Sequence, residues 1–189
     1  DTAVPVTCVV GADFRFGARA SGDVAALRAF GQEHGFDVVA HDLVRADGAP
    51  VTSTRIRRLI AAGDVAAARV LLGRPHRLHG TVAPGAGLGE GLGFPTANLD
   101  IDARFALPAH GVYAAWATVT AGRFPAAVSV GVPPSFPDAT CELEAHLLGF
   151  SGDLYGQEVA IEFVERIRDQ RPFPNRETLS AAIADDVAR

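Results

Sequence analysis

The sequence predicts an α+β protein, with a partial α/β segment over residues 1–75 and a small antiparallel β-barrel with a closing helix over residues 76–189. Three observations predict it. The hydrophobic pattern alternates strand and helix up to residue 75 and changes to a period of two after His76. Gly, Pro and Asp clusters then separate short period-two runs, the spacing of antiparallel strands in a barrel. Gly73-Arg74-Pro75 stops a helix between the two patterns and marks the boundary.

The elements follow in order. Val6 to Val10 is an apolar run stopped by Gly11, as a buried parallel strand would be. Asp23 caps a helix through about His34, with Val24, Leu27 and Phe30 at helical spacing and Gly35 as its stop. Phe36 to Val44 reads as a strand. Thr52 or Ser53 caps the next helix, and Asp64 caps Val65 to Leu72. These are too few strands for a whole doubly wound domain, and they read as the back half of one. In the second half, Val112, Ala114 and Trp116 alternate with Tyr113, Ala115 and Ala117. Cys141, Leu143, Ala145 and Leu147 form one face of a strand, and Glu142, Glu144 and His146 the other. Val159, Ile161 and Phe163 oppose Glu158 and Glu162. Asn175 starts the closing helix, with Leu179, Ile183 and Val187 on one stripe.

Composition narrows the function. With 48% hydrophobic and 21% charged residues, the 189-residue chain is expected to form a packed soluble core. No apolar run is long enough to span a membrane, and no secretory leader opens the chain. Cys8 and Cys141 lie far apart in separate strands, so two reduced thiols and a cytoplasmic location are expected. All 17 basic residues are arginine, which excludes a Schiff-base lysine and a Walker P-loop. A net charge of −5 speaks against nucleic acid as a partner.

Candidate chemistry concentrates in the second half. Glycines at 85, 87, 89, 91 and 93 leave an open backbone that is either a phosphate cradle or a flexible hairpin tip. It runs into Phe94-Pro95-Thr96-Ala97-Asn98. If that stretch is extended, Thr96 and Asn98 point the same way. They are then hard oxygen ligands for Mg²⁺, or they only cap a turn. Glu144, on a polar strand face, is placed either to take a proton from an attacking hydroxyl or to face solvent like Glu142, Glu158 and Glu162. His146 either orients Glu144 or is simply exposed. His76 and His79 lack partner ligands nearby in sequence, so they are read as structural rather than metal-binding. Ser53-Thr54-Arg55-Ile56-Arg57 opens a helix and is either an anion site or a cap with solvated arginines.

Taken together these segments resemble the bacterial bifunctional riboflavin kinase/FMN adenylyltransferase family, also called FAD synthetase. Val9 to Gly17 and Ser53 to Arg57 look like its adenylyltransferase motifs, and Leu72-Gly73-Arg74-Pro75 like the junction between its modules. Gly93 to Asn98 resembles its kinase signature and Glu144 to Leu148 its catalytic strand. Gly152 to Gly156 and Phe163 to Arg168 are similar as well.

The resemblance implies a six-stranded flavokinase barrel with a C-terminal helix. It implies Glu144 as the base, and Thr96 and Asn98 as holders of Mg²⁺ and the nucleotide phosphates. Gly85, Gly87, Gly93, Phe94, Pro95 and Tyr155 would surround ATP, and Arg168 and Phe173 the flavin. The family's His-x-Gly-His motif is absent from this sequence, so the expectation is a chain lacking the N-terminal part of the adenylyltransferase module, without FAD synthesis. Where the family shows Asn-x-Gly-x-Asn-Pro-Thr, this chain has Ser129 to Ser135 with Pro133 inside. Where the family shows Arg-x-Glu, it has Arg168-Asp169-Gln170.

The leading expectation is phosphorylation of riboflavin, or a close analogue, by MgATP. The alternatives are a flavin- or nucleotide-binding protein without kinase activity and an enzyme that hydrolyses FMN. The first half is expected either to pack on the barrel or to associate with another chain, because half of an α/β domain leaves apolar surface uncovered.

Overall fold

The computed structural model describes residues 6–85, 89–131 and 143–188. The chain forms two compact units, Asp1–Thr52 and Ser53–Arg189.

In the first unit, β1 (Thr7–Gly11) pairs in parallel with β2 (Asp37–His41), and α1 (Val24–His34) connects them. This is the predicted α/β pattern. The Asp23 carboxylate accepts a hydrogen bond from the Ala26 amide, and Gly35 ends the helix in the left-handed region. The long strand expected from Phe36 to Val44 breaks after His41. A short hairpin of β3 (Arg45–Ala46) and β4 (Ala49–Pro50) follows, turned by Asp47 and Gly48 at positive φ.

The second unit opens with α2 (Ser53–Ala61) and α3 (Val65–Leu72), the latter capped by Asp64. The sequence grouped both helices with residues 1–75. They lie in the same compact unit as the barrel, because α3 packs on its last strand and Val65 joins its core. The Ala109 amide also donates to the carbonyl of Ile60, tying α2 to the loop before the third barrel strand.

Six strands form the barrel: β5 (Arg77–Ala83), β6 (Ala97–Ile101), β7 (Gly111–Val119), β8 (Gly122–Val130), β9 (Leu143–Leu147) and β10 (Glu158–Arg168). They close in the order β10-β5-β6-β9-β8-β7, and the pairings are antiparallel. Tyr113, Ala115 and Ala117 point inward from β7, Leu143, Ala145 and Leu147 from β9, and Val159, Ile161 and Phe163 from β10. The period-two reading therefore assigned these faces correctly. Cys141 and Glu142 lie outside the described residues; Cys8 is a free, partly buried thiol.

Two bulges interrupt β10, between Phe163 and Glu165 and between Arg166 and Arg168. Bulges bend a strand and re-aim its side chains. Here they precede the point where Arg168 meets the closing helix α4 (Arg176–Val187), which Asn175 caps as expected. The buried positions of α4 are Ala182 and Asp186, with Leu179, Ile183 and Val187 only partly covered. The buried edge is thus rotated from the expected apolar stripe, because Arg168 draws the Asp186 carboxylate inward with bonds of 2.9 and 2.7 Å.

Candidate active site

Strand register builds the site. Asn98 on β6 is opposite Ala83 on one side and Glu144 on the other, and Glu144 is opposite Ser129 on β8. The same row continues through Val112 to Arg168. Directly opposed residues share a face, with Cβ atoms about 5 Å apart. Their inward neighbours Leu99, Ala145 and Val128 are core, so this row, polar at Asn98, Glu144, Ser129 and Arg168, lies on the other face of the barrel strands.

The signature segment is clamped in place. His146, two residues after Glu144 on the same face, makes a 2.8 Å hydrogen bond through Nδ1 with the Pro95 carbonyl. Its ring also meets Phe94 edge-on at 5.5 Å. His146 therefore holds the Phe94-Pro95-Thr96 stretch, rather than orienting Glu144 or standing free.

The glycines fold back onto the polar pair. A Cβ at Gly85 would overlap the side-chain amide of Asn98, and one at Gly89 would come within 3.0 Å of Thr96 Oγ1. The bare backbone is required by close approach to the Asn98 amide at Gly85 and, at Gly89, to the Phe94 carbonyl oxygen, which a Cβ there would overlap. The sequence offered a phosphate cradle or a hairpin tip for this loop; close packing on the segment from Phe94 to Asn98 was not among those readings. Gly87 lies outside the described residues. Gly93 adopts φ +83° and turns the chain into Phe94.

Asn98 is buried, and its side chain lines a cavity of about 530 Å³. Pro84, Asp100, Phe105, Leu107 and Leu143 also line it. That size suits a small-molecule ligand. Glu144 is partly buried, and burial pushes its carboxyl above the usual carboxylate range. Tyr155 is 64% exposed. It sits in a turn whose Gly156 amide donates to the Val82 carbonyl, near the start of the glycine loop.

At the other end of the row, Arg168 forks onto Asp186 and lies over the Phe173 ring at 5.5 Å. Gln170 Nε2 donates to Ser129 Oγ at 2.9 Å and to the Gly131 carbonyl at 2.9 Å. Sequence reasoning found neither Asp186 nor this bond. One signal was available for the first: a carboxylate in the last turn of a helix opposes the macrodipole and calls for a cation. His76 bonds to the Ala106 carbonyl and stacks on Phe163, while His79 faces Glu158. Both roles are structural.

A closed six-stranded antiparallel barrel bearing a clamped Thr/Asn segment and a half-buried carboxylate on its outer face defines the class, a flavokinase-type barrel. The chain belongs to the riboflavin kinase family, whose model matches residues 72–189. The FAD synthetase model matches residues 3–55.

Bifunctional riboflavin kinase/FMN adenylyltransferases are similar over nearly the whole chain. The protein from Pseudomonas fluorescens is 39% identical over 95% of this chain and 58% of its own length. The one from Escherichia coli K12 is 36% identical over 94% and 56%. The chain thus spans a little over half the length of these relatives. A solved structure described as a macrolide-efflux protein from Streptococcus pneumoniae superposes with a TM-score of 0.80 and 30% identity. That match covers 94% of this chain and 57% of the other. Among the described residues, no helix is long and apolar enough to cross a membrane.

Proposed function

We propose that this chain transfers the γ-phosphoryl group of ATP to the ribityl 5′-hydroxyl of riboflavin, giving FMN and ADP. The observation that carries the reading is the register pair of Asn98 and Glu144, beside a Thr96 segment held by His146. The Glu144 carboxylate accepts the hydroxyl proton as the ribityl oxygen forms its bond to the γ-phosphorus. The bond between that phosphorus and the β,γ-bridging oxygen breaks, and ADP leaves. A raised carboxyl suits a base that must take up a proton and later release it.

The residues present fit a magnesium ion. The Thr96 hydroxyl and the Asn98 amide oxygen are hard donors two residues apart, just before and within β6. Mg²⁺ keeps several waters and takes substrate phosphates in its shell, so two protein donors are enough for it. When bound, the ion would neutralise charge on the transferring phosphates.

In this reading the ligands lie on either side of Glu144. Thr96, Asn98, Gly85, Gly93, Phe94, Pro95 and Tyr155 form the nucleotide end, and Arg168 with Phe173 the flavin end. Glu144 stands between. Gly87 belongs to the same loop by sequence.

The test is incubation of the purified chain with riboflavin, ATP and Mg²⁺, followed by chromatographic separation of the flavins. FMN that forms only with both ATP and Mg²⁺ is the expected result. Folded protein that forms none sinks the reading, and tight FMN binding without ATP consumption would identify a flavin-binding protein instead.

A further inference from the structure

Two positions at which this sequence departs from the family pattern, Ser129 and Gln170, meet in space. They are 41 residues apart in the chain, and Gln170 Nε2 reaches Ser129 Oγ at 2.9 Å. The same nitrogen reaches the Gly131 carbonyl at 2.9 Å, so both amide hydrogens are engaged.

The geometry gives this pair a direction. Ser129 Oγ accepts from Gln170, so the hydroxyl keeps its own hydrogen to donate. Its neighbour across the register, on the same outer face, is Glu144. The Gly131 carbonyl marks the end of β8. At that point the backbone has φ +97° and lies against the His110 ring too closely to admit a side chain. Gln170 thus ties down both the Ser129 side chain and the end of the strand that flanks Glu144.

We propose that Gln170 is a positioning residue: acting through Ser129 and the Gly131 carbonyl, it holds the β8 flank against which Glu144 works. The inference rests on the kinase reading above. It also assigns a chemical logic to the paired departure. A glutamate at 170 has no hydrogen to give the Gly131 carbonyl and would turn the Ser129 hydroxyl toward itself. An asparagine at 129 carries two amide hydrogens, so it can bond such a glutamate and still keep one to donate. Gln170 with Ser129 makes the same tie without placing a second carboxylate beside Glu144.

The test is a cycle of Ser129→Ala, Gln170→Ala and their double variant, together with Gln170→Glu alone and combined with Ser129→Asn. Each alanine variant should lower kcat about tenfold, within what misplacement near a reacting centre costs, with KM for riboflavin and ATP little changed. The double variant should be no worse than the poorer single one. Gln170→Glu should lose activity, and adding Ser129→Asn should recover most of it. Losses that multiply, a change confined to KM, or a fully active Gln170→Glu would overturn the proposal.

A second readout does not need turnover. The Gln170 side-chain amide signal in a ¹⁵N–¹H spectrum should move in Ser129→Ala and in Glu144→Gln. The Glu144→Gln response should disappear once Ser129 is alanine. A signal indifferent to both changes refutes the link even if the parent makes no FMN, whereas an inactive parent with a responsive signal refutes only the kinase reading.

Discussion

The two units of this chain handle the same problem, covering the apolar faces of strands, with opposite results. In the barrel every strand has a neighbour on each side, and the inward residues of β7, β9 and β10 are buried. In the first unit β1 and β2 form a sheet of two strands, and Val9 and Val39 remain 62% and 40% exposed. Two separate two-stranded sheets and one helix cannot enclose a core, whereas six strands closed on themselves enclose one without help from another layer. Local signals such as the Asp23 cap and the Gly35 stop are equally good in both units. What separates them is closure.

The largest expected effect is chemical and confined to the barrel. Glu144→Ala should reduce FMN formation by about a thousandfold, the middle of the range for a general base, while leaving the thermal midpoint nearly unchanged. Turnover within a few-fold of the parent would show that Glu144 is not the base. Because burial raises this carboxyl, kcat should fall off on the acid side at a pH above the ordinary carboxylate range. The sign for stability follows. A raised folded-state value favours the protonated form, so the contribution is present below the ordinary pKa and is lost as pH rises through the raised one. Glu144→Gln should therefore be neutral or stabilising at pH 7, which denaturant titration at pH 4 and pH 7 would check.

Next in size is the core. Phe163→Ala should cost about 3–5 kcal/mol, because the ring is fully buried against His76 and Tyr113. Urea unfolding followed by Trp116 fluorescence would measure it, and a loss below about 1 kcal/mol would mean the barrel is not the stable unit. Asp186→Asn should cost about 2 kcal/mol, less than a fully buried pair, since Arg168 keeps some solvent contact. Gly85→Ala pushes a methyl into the Asn98 amide and should cut kcat/KM at least about tenfold with a small change in stability. The smallest effect belongs to the first unit. Val9→Thr should change stability by no more than about 0.5 kcal/mol, as surface substitutions do. A cost like that of Phe163→Ala would mean that something covers Val9 in solution.

Much of this was legible in the sequence, for a physical reason. Helix caps at Asp23, Asp64 and Asn175, and the alternation in β7, β9 and β10, are written within a few consecutive residues. The ordered segments around Thr96, Asn98 and Glu144 pointed to the family. What stayed hidden depends on contacts between distant residues. The Gln170–Ser129 bond joins two strand ends that only barrel closure brings together. Asp186 is buried because bulges in β10 aim Arg168 at it, and no local period announces a bulge. For Gly85 and Gly89 the sequence left a phosphate cradle and a hairpin tip open; their close approach to the Asn98 amide and the Phe94 carbonyl is a folded-state contact that no local pattern shows. Residues 53–75 looked like α/β material because they continue the alternation of strand and helix; a local pattern says where a helix lies and nothing about which core it joins.

The closed strand order has a consequence for exchange with solvent. With every barrel strand flanked on both sides, an interior amide cannot reach water by the fraying of one edge. Deuterium should therefore enter β5 to β10 late and nearly together, at a rate set by global unfolding, while the amides of β1 and β2 exchange early.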